Sequence, residues 1–243
     1  MTRLLILDSA TDACSVALLD SRLQGADRIR QRFELAAKSH TRRLLPMVDE
    51  VLTEAGLSLS EVDALAFGQG PGSFTGLRIC LGVVQGLAFA RDLPVVGVST
   101  LDSMAVGFYR QHPELLESDT PLLVALDARM QEVYWSLVRP GETAGALVSL
   151  AEEAVAPPQS VVEHPAVAAL AGNFWGLGQG WQYSQLQALT PAGLEPAFYP
   201  GAADMAELAL SAYERGEACS AEEAQPVYLR NTISWKKRER IRS

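Results

Sequence analysis

The sequence predicts an α/β fold built from two similar lobes, the second smaller than the first. Three observations carry this reading. Leu-Leu-Ile-Leu-Asp at residues 4–8 is followed by a turn and an apolar strand at residues 14–19, and the unit returns 119 residues later at 123–127 and 133–138. Helix-period stretches fall between the β-type runs, and interleaved strands and helices read as packed layers. Between residues 141 and 193 the pattern thins into Ala, Pro and Gly, which predicts a reduced second lobe. We place the first lobe at residues 1–105 and the second at 106–220, with residues 221–243 returning to the first.

Each element has a local reason. Residues 4–7 and 14–19 are short apolar runs separated by the turn residues Ser9 to Ala13, and residues 28–35 continue the meander. A helix follows, with Ser39 or Thr41 as its N-cap and Gly56 just past its end. Leu44, Leu45, Val48, Val51, Leu52 and Ala55 form one stripe along it. Pro46 is expected near its first turn, where a missing N–H costs least. Residues 64–67 form a strand that enters the turn Gly68-Gln69-Gly70-Pro71-Gly72. Ser73 then caps a helix whose only polar side chains from Phe74 to Ala90 are Thr75, Arg78 and Gln85. Such a helix must bury more than one flank, inside its own chain or against another. A strand at residues 94–98 closes the first lobe.

Composition narrows the function. With 243 residues and 48% hydrophobic residues the chain can bury a sizeable core. Its start meets Asp8 before a signal-peptide core is complete, so a cytoplasmic protein without membrane attachment is expected. Cys14, Cys80 and Cys219 are odd in number and far apart, and reduced, structural thiols are expected. The formal charge of −9 hides six bases in the last 14 positions; the remainder carries 14 bases and 28 acids. A body that acidic is a poor platform for nucleic acid. The basic tail at residues 236–242 reads either as an RNA contact or as a solvated terminus.

No catalytic constellation is expected. His40, His112 and His164 lie far apart, which leaves no metal-ligand spacing. No Gly-x-Ser-x-Gly elbow is present, and Ser73 reads as a cap, not a nucleophile. The glycine turn lacks the Lys-Ser/Thr of a Walker loop. Backbone N–H groups at a helix N-terminus can still hold phosphate, so Asp8, Thr11, Gly70, Gly72 and Ser73 are phosphate-loop candidates. Glycines placed only for tight turns explain the same residues. Gly176-Leu177-Gly178-Gln179-Gly180 is a candidate relic of an adenosine-side loop.

The partner reading has its own physics. Gly76, Gly82 and Gly86 each cost the second helix about 1 kcal/mol relative to Ala, which close packing must recover. Gly82, Gly86 and Ala90 lie four residues apart, where another helix could approach. On the first helix Arg42 and Arg43 sit near the N-terminus and Asp49, Glu50 and Glu54 toward the C-terminus. The helix dipole disfavours that order, and these charges are expected to face a partner's.

Asp8-Ser9-Ala10-Thr11, the stretch Phe67-Gly68-Gln69-Gly70-Pro71-Gly72-Ser73-Phe74-Thr75-Gly76-Leu77-Arg78, and Val227-Tyr228-Leu229-Arg230-Asn231 together resemble the bacterial TsaB (YeaZ) family over the whole chain. The resemblance implies the two-lobed actin-like, Hsp70-like (ASKHA) fold. It also implies a non-catalytic scaffold in tRNA threonylcarbamoyladenosine modification that binds and activates TsaD, with TsaE as an ATPase companion. The chain would self-associate when TsaD is absent, and tRNA would be met indirectly, through the complex. In the catalytic paralogue a His-x-x-x-His metal motif stands where this chain has Thr100 and Met104, so no cofactor or metal is expected here; ATP and metal belong to the partner subunits. The docking surface implied comprises Leu44, Leu45, Val48, Val51 and Leu52 with Leu77, Leu81, Gly82, Val84, Gln85, Gly86 and Ala88. The alternative is a nucleotide-binding ATPase or carbamoyl transferase acting on its own; a serine peptidase is a third class.

Overall fold

The computed structural model describes residues 1–143 and 145–230; the basic tail and Asn231 lie outside the described residues. In chain order the elements are β1 (Arg3–Asp8), β2 (Ala13–Asp20), β3 (Ile29–Leu35), α1 (His40–Ala55), β4 (Ala64–Gly70), α2 (Phe74–Arg91), β5 (Val95–Ser99), α3 (Thr100–Gln111) and α4 (Pro113–Glu117). The second half adds β6 (Leu122–Asp127), β7 (Val133–Pro140), β8 (Leu147–Ala156), α5 (Pro158–Val162), α6 (Pro165–Ala168), β9 (Trp175–Leu177), α7 (Ser184–Gln187), β10 (Gly193–Glu195) and α8 (Ala206–Glu214).

Two five-stranded mixed sheets share one topology, β3-β2-β1-β4-β5 and β8-β7-β6-β9-β10. In each, the leading hairpin is antiparallel and the next two strands run parallel to its first strand and to each other. This is the duplication expected from the 119-residue offset, and the two-lobed α/β arrangement is the actin-like one. The second copy is trimmed: the 16-residue α1 is replaced by the five- and four-residue α5 and α6, and the 18-residue α2 by the four-residue α7.

The first sheet is covered on both faces, which is why β1 reads as an unbroken apolar run. Leu5, Leu7, Val16, Leu18, Leu65 and Phe67 face α1 and α2. Leu4, Ile6, Ala17, Leu19, Ala64 and Ala66 face the turn at Ala202–Met205 and α8. On the second sheet Leu122, Val124 and Leu126 pack under α3.

The covering helices are therefore exchanged between lobes. The helix after β5 lies on the second sheet, and the helix after β10 lies on the first. This corrects the expected boundaries, because residue 105 would cut α3 in half and the return to the first lobe starts near Gly201 rather than at 221. The crossing segments meet where a Gly107 side chain would run into Asp204, with Cγ of Asp204 2.5 Å from the Cβ position. Arg110 caps that contact with an ion pair to Asp204, Nη2 to Oδ1 2.5 Å.

Local signals held with two exceptions. Gly56 ends α1 at φ 65°, with the Leu57 N–H bonded back to Leu52 O at 3.0 Å. Pro46 is the seventh residue of α1, not part of its first turn. It is tolerated on the solvent side, where the freed Arg42 carbonyl can bond water. Ser39 occupies the N-cap of α1 without a side-chain hydrogen bond.

By length and composition α2 could cross a membrane, but Leu77, Cys80, Val84 and Ala88 lock one face of it into the first lobe. The three glycines of α2 divide by environment. A Cβ on Gly76 would stand 2.0 Å from the Ser9 carbonyl oxygen, whereas Gly82 and Gly86 have nothing within 4 Å. Gly76→Ala is expected to destabilise the chain by about 2–3 kcal/mol through backbone overlap. Gly82→Ala and Gly86→Ala are each expected to stabilise it by up to about 1 kcal/mol. Guanidinium unfolding at low protein concentration measures both signs.

Candidate functional site

The lobes leave a cleft of about 510 Å³ between the β1–β2 turn, the first turn of α2, and the β6–β7 turn. The α2 side is held by close backbone contact. Ser73 N donates to Ala10 O at 2.7 Å, and Ser9 Oγ donates to Gly76 O at 2.9 Å. A Cβ on Gly72 would lie 2.3 Å from Ala10 O. Ser73 Oγ accepts from Gly76 N at 3.3 Å, so its lone pair serves the cap. Thr11 Oγ1 accepts from Ala13 N at 3.2 Å.

Thr11, Gly72 and Ser73 line the cleft together; Asp8 and Gly70 do not. Gly70, at φ 110°, sits under the backbone of Val227. Asp8 is fully buried against Gly68, and its Oδ2 has no partner. Burial drives its pKa up to about 7, opposed by the Ala10 and Ser9 amides. Its repeat partner Asp127 faces the cleft, accepting from Tyr183 Oη at 3.0 Å and Arg129 Nη1 at 3.0 Å. The two aspartates share a sequence position in the duplication but not a role.

The glycines of the second-lobe loop serve packing. Cβ atoms on Gly178 and Gly180 would fall 2.6 Å from Ala125 O and 2.7 Å from Ala125 Cβ, and Gly178 has φ 92°. Thr100 and Met104 are fully buried at the start of α3, with Met104 in the second-lobe core. Among the described residues no group of three or more His, Cys, Asp or Glu side chains could hold a metal. The thiols are not activated nucleophiles: burial pushes Cys14 up to about 12 and raises Cys80 strongly.

The second feature lies on the outer face of the first lobe, where α1 and α2 run side by side. Thr41, Leu45, Arg78, Ile79, Gly82, Val83, Gly86 and Leu87 line an open, largely apolar groove of about 490 Å³. Leu45 on α1 is 52% exposed, and Phe89, near the end of α2, is 77% exposed. Of the expected docking residues, Leu45, Gly82 and Gly86 lie on this face. Leu44, Val48, Val51, Leu52, Val84 and Ala88 are instead buried in the first-lobe core, because the sheet claims that stripe of each helix, and Leu77 is buried beside Gly70. Leu81 is half-buried against the same core. Gln85 is spent within the chain, donating to Ala221 O at 2.9 Å and Ala224 O at 3.2 Å.

Ile79, Val83 and Leu87 were missed as groove residues. Their spacing of four is a helical stripe about 100° round the helix from Cys80, Val84 and Ala88, half-buried beside the core, and only fixing that neighbouring stripe as core would have placed it at the groove. The misordered charges of α1 are likewise answered at home. Arg43 reaches Glu34 at 2.7 Å and Glu50 at 3.8 Å, and Arg32 on β3 reaches Glu50 at 3.2 Å and also pairs with Glu54. Arg43, Glu50 and Glu54 are thus paired within the chain, and the expectation that they face a partner's charges is corrected for these three.

Comparison with known proteins fits this architecture. A family model described as TsaD, tRNA N6-adenosine threonylcarbamoyltransferase, matches residues 33–231. The tRNA threonylcarbamoyladenosine biosynthesis protein TsaB of Escherichia coli is 42% identical, covering 97% of each chain. That of Haemophilus influenzae is also 42% identical, covering 96% of each. The solved structure of YeaZ from Pseudomonas aeruginosa superposes with a TM-score of 0.82 at 44% identity, covering 94% of this chain and all of that one. The chain belongs to the TsaB (YeaZ) family. A second Pseudomonas aeruginosa structure, described as similar to the peptidase YeaZ, gives a TM-score of 0.83 at 45% identity over 95% of this chain. In the TsaB-family chain described here, Ser73 has the geometry of a helix cap.

Asp8 gives this site a pH signature. The unfolded chain releases the Asp8 proton near pH 4 and the native state near pH 7, so native stability falls as pH rises through that window. Glu153, raised by burial to about 7, adds the same sign. Guanidinium unfolding at pH 5 and pH 8 is expected to show Asp8→Asn losing less stability than the parent across the interval, by on the order of 2 kcal/mol.

Proposed function

We propose that this chain is a non-catalytic subunit in the biosynthesis of tRNA threonylcarbamoyladenosine, and that it docks through the α1–α2 groove onto a TsaD-type paralogue. One observation carries the reading: an apolar two-helix face with the unfilled glycines Gly82 and Gly86 at its centre. Glycine in an exposed helix interior costs stability, and a second helix packed closely against it recovers that cost. The occupant is suggested by the match of the TsaD model over residues 33–231, which span both helices. A related chain would present a related pair of helices, and two such pairs can pack as a four-helix layer. An interface of about 800 Å² per side is sufficient for a stable complex.

In this reading the chain supplies no reacting group. ATP and metal would be held by the partner subunits, including the TsaE companion, and tRNA would be met through the assembly. In the absence of TsaD, two copies of the chain would cover one another's grooves.

Leu45→Glu and Val83→Glu place a charge in the groove. Val84→Glu would place it in the core and report on folding instead. Sedimentation velocity is expected to show both groove variants as monomers. Titration with TsaD is expected to show affinity reduced at least about 30-fold, the loss that marks an interface hot spot. Thermal unfolding should stay within a few degrees of the parent. Undiminished association in both variants would overturn the proposal.

A further inference from the structure

The C-terminal segment that ends at Arg230 supplies no groove-lining residue, yet it is tied to the body of the chain at several points. Cys219 pairs with Val95 across an antiparallel bridge, and Gln85 of α2 holds the carbonyls of Ala221 and Ala224. Val227 N donates to Gln69 O at 2.8 Å. Tyr228 Oη accepts from Arg78 Nε at 3.2 Å, and its ring lies 5.8 Å from that of Phe74. Arg78 also stacks over the Phe74 ring, 3.9 Å from its centroid. Arg230 then leaves the first lobe. Its Nη2 donates to Ala128 O at 3.1 Å and pairs with Glu132, and Nη1 lies 3.7 Å from Met130 Sδ.

The target of Arg230 is an unusual turn. Arg129, Met130 and Gln131 all have positive φ, at 62°, 53° and 63°, a costly conformation for three successive side chains that are not glycine. The turn forms one wall of the cleft, and Arg230 itself lines the cleft. At the other end, Arg78 lines the α1–α2 groove. One short segment therefore touches the docking face, the mouth of the cleft, and the strained turn of the second lobe.

We infer that residues 225–230 are a strap that ties the two lobes together across the cleft and links occupancy of the α1–α2 groove to the conformation of the β6–β7 turn. Arg78 is the joint. A partner seated in the groove restricts its guanidinium, which steadies Tyr228 and, two residues on, Arg230. Linkage requires the reciprocal effect: a released strap weakens docking. The coupling rests on the docking proposed above, whereas the tie between the lobes does not.

Amide hydrogen exchange on the full chain separates the two. The reporters are Ala128 and Glu132, whose N–H groups bond Glu132 O at 2.9 Å and Arg129 O at 3.0 Å inside the turn. In the Leu45→Glu background, with the groove empty, Arg230→Ala is expected to speed their exchange about tenfold or more while β4 amides stay unchanged. Arg230→Lys, which keeps the charge opposite Glu132, should rescue part of the protection. With the groove occupied by TsaD or by a second copy, the parent chain should show several-fold slower exchange at both amides. Tyr228→Phe, which removes only the hydroxyl that meets Arg78, should abolish that slowing. Unchanged turn exchange in Arg230→Ala would overturn the strap. Slowing by the partner that survives in Tyr228→Phe would overturn the coupling and leave the strap. Undiminished association of both Leu45→Glu and Val83→Glu would overturn the docking and the coupling with it, and leave the strap.

Discussion

The structure depends on how closely the first turn of α2 is pressed against the β1–β2 turn. Ser73 N on Ala10 O, Ser9 Oγ on Gly76 O, and the side-chain-free contacts of Gly72 and Gly76 bring two backbones together at a distance no Cβ would allow. That contact fixes the axis of α2. One stripe of the helix, from Leu77 through Cys80 and Val84 to Ala88, is turned onto the sheet. Gly82 and Gly86, on the far side, are thereby turned outward, with Ile79, Val83 and Leu87 half-buried between, and the groove with α1 follows from it.

The same contact fills what could have been an anion cradle. In a phosphate loop the backbone amides at a helix N-terminus point at a ligand, whereas here Ser73 N is committed to Ala10 O and Gly76 N to Ser73 Oγ. Asp8 lies beneath the turn with an unpartnered oxygen, and burial favours its neutral form. Two of the amides at this helix start, Ser73 N and Gly76 N, therefore hold the chain together beside the cleft.

The second constraint is the exchange of covering helices. Because α3 leaves β5 for the second sheet and α8 leaves β10 for the first, neither sheet is complete without the other half of the chain. The meeting of Gly107 with Asp204 and the path of residues 219–230 along α2 then set how the lobes sit. Lobe boundaries drawn along the sequence cut through this exchange, which is why a division at residue 105 splits a helix that folds as one unit.

The sequence by itself determined the duplicated strand-turn-strand plan, the caps at Gly56 and Ser73, the absence of metal-ligand spacing among the histidines, and the presence of a helix too apolar to be covered on one side. These are local or periodic properties, and they can be read wherever the pattern is long. Only the tertiary structure decided which stripe of each helix is core. Leu44, Val84 and Ala88 are as apolar as Leu45, Val83 and Leu87, and hydrophobicity does not say which face the sheet will claim. Tertiary structure also decided that Gln85, Glu50 and Glu54 are answered inside the chain. It decided as well that the Tyr228–Arg230 segment spans two lobes. Such contacts join residues about 20 to 150 positions apart, and no local signal records where a distant donor or charge will come to rest.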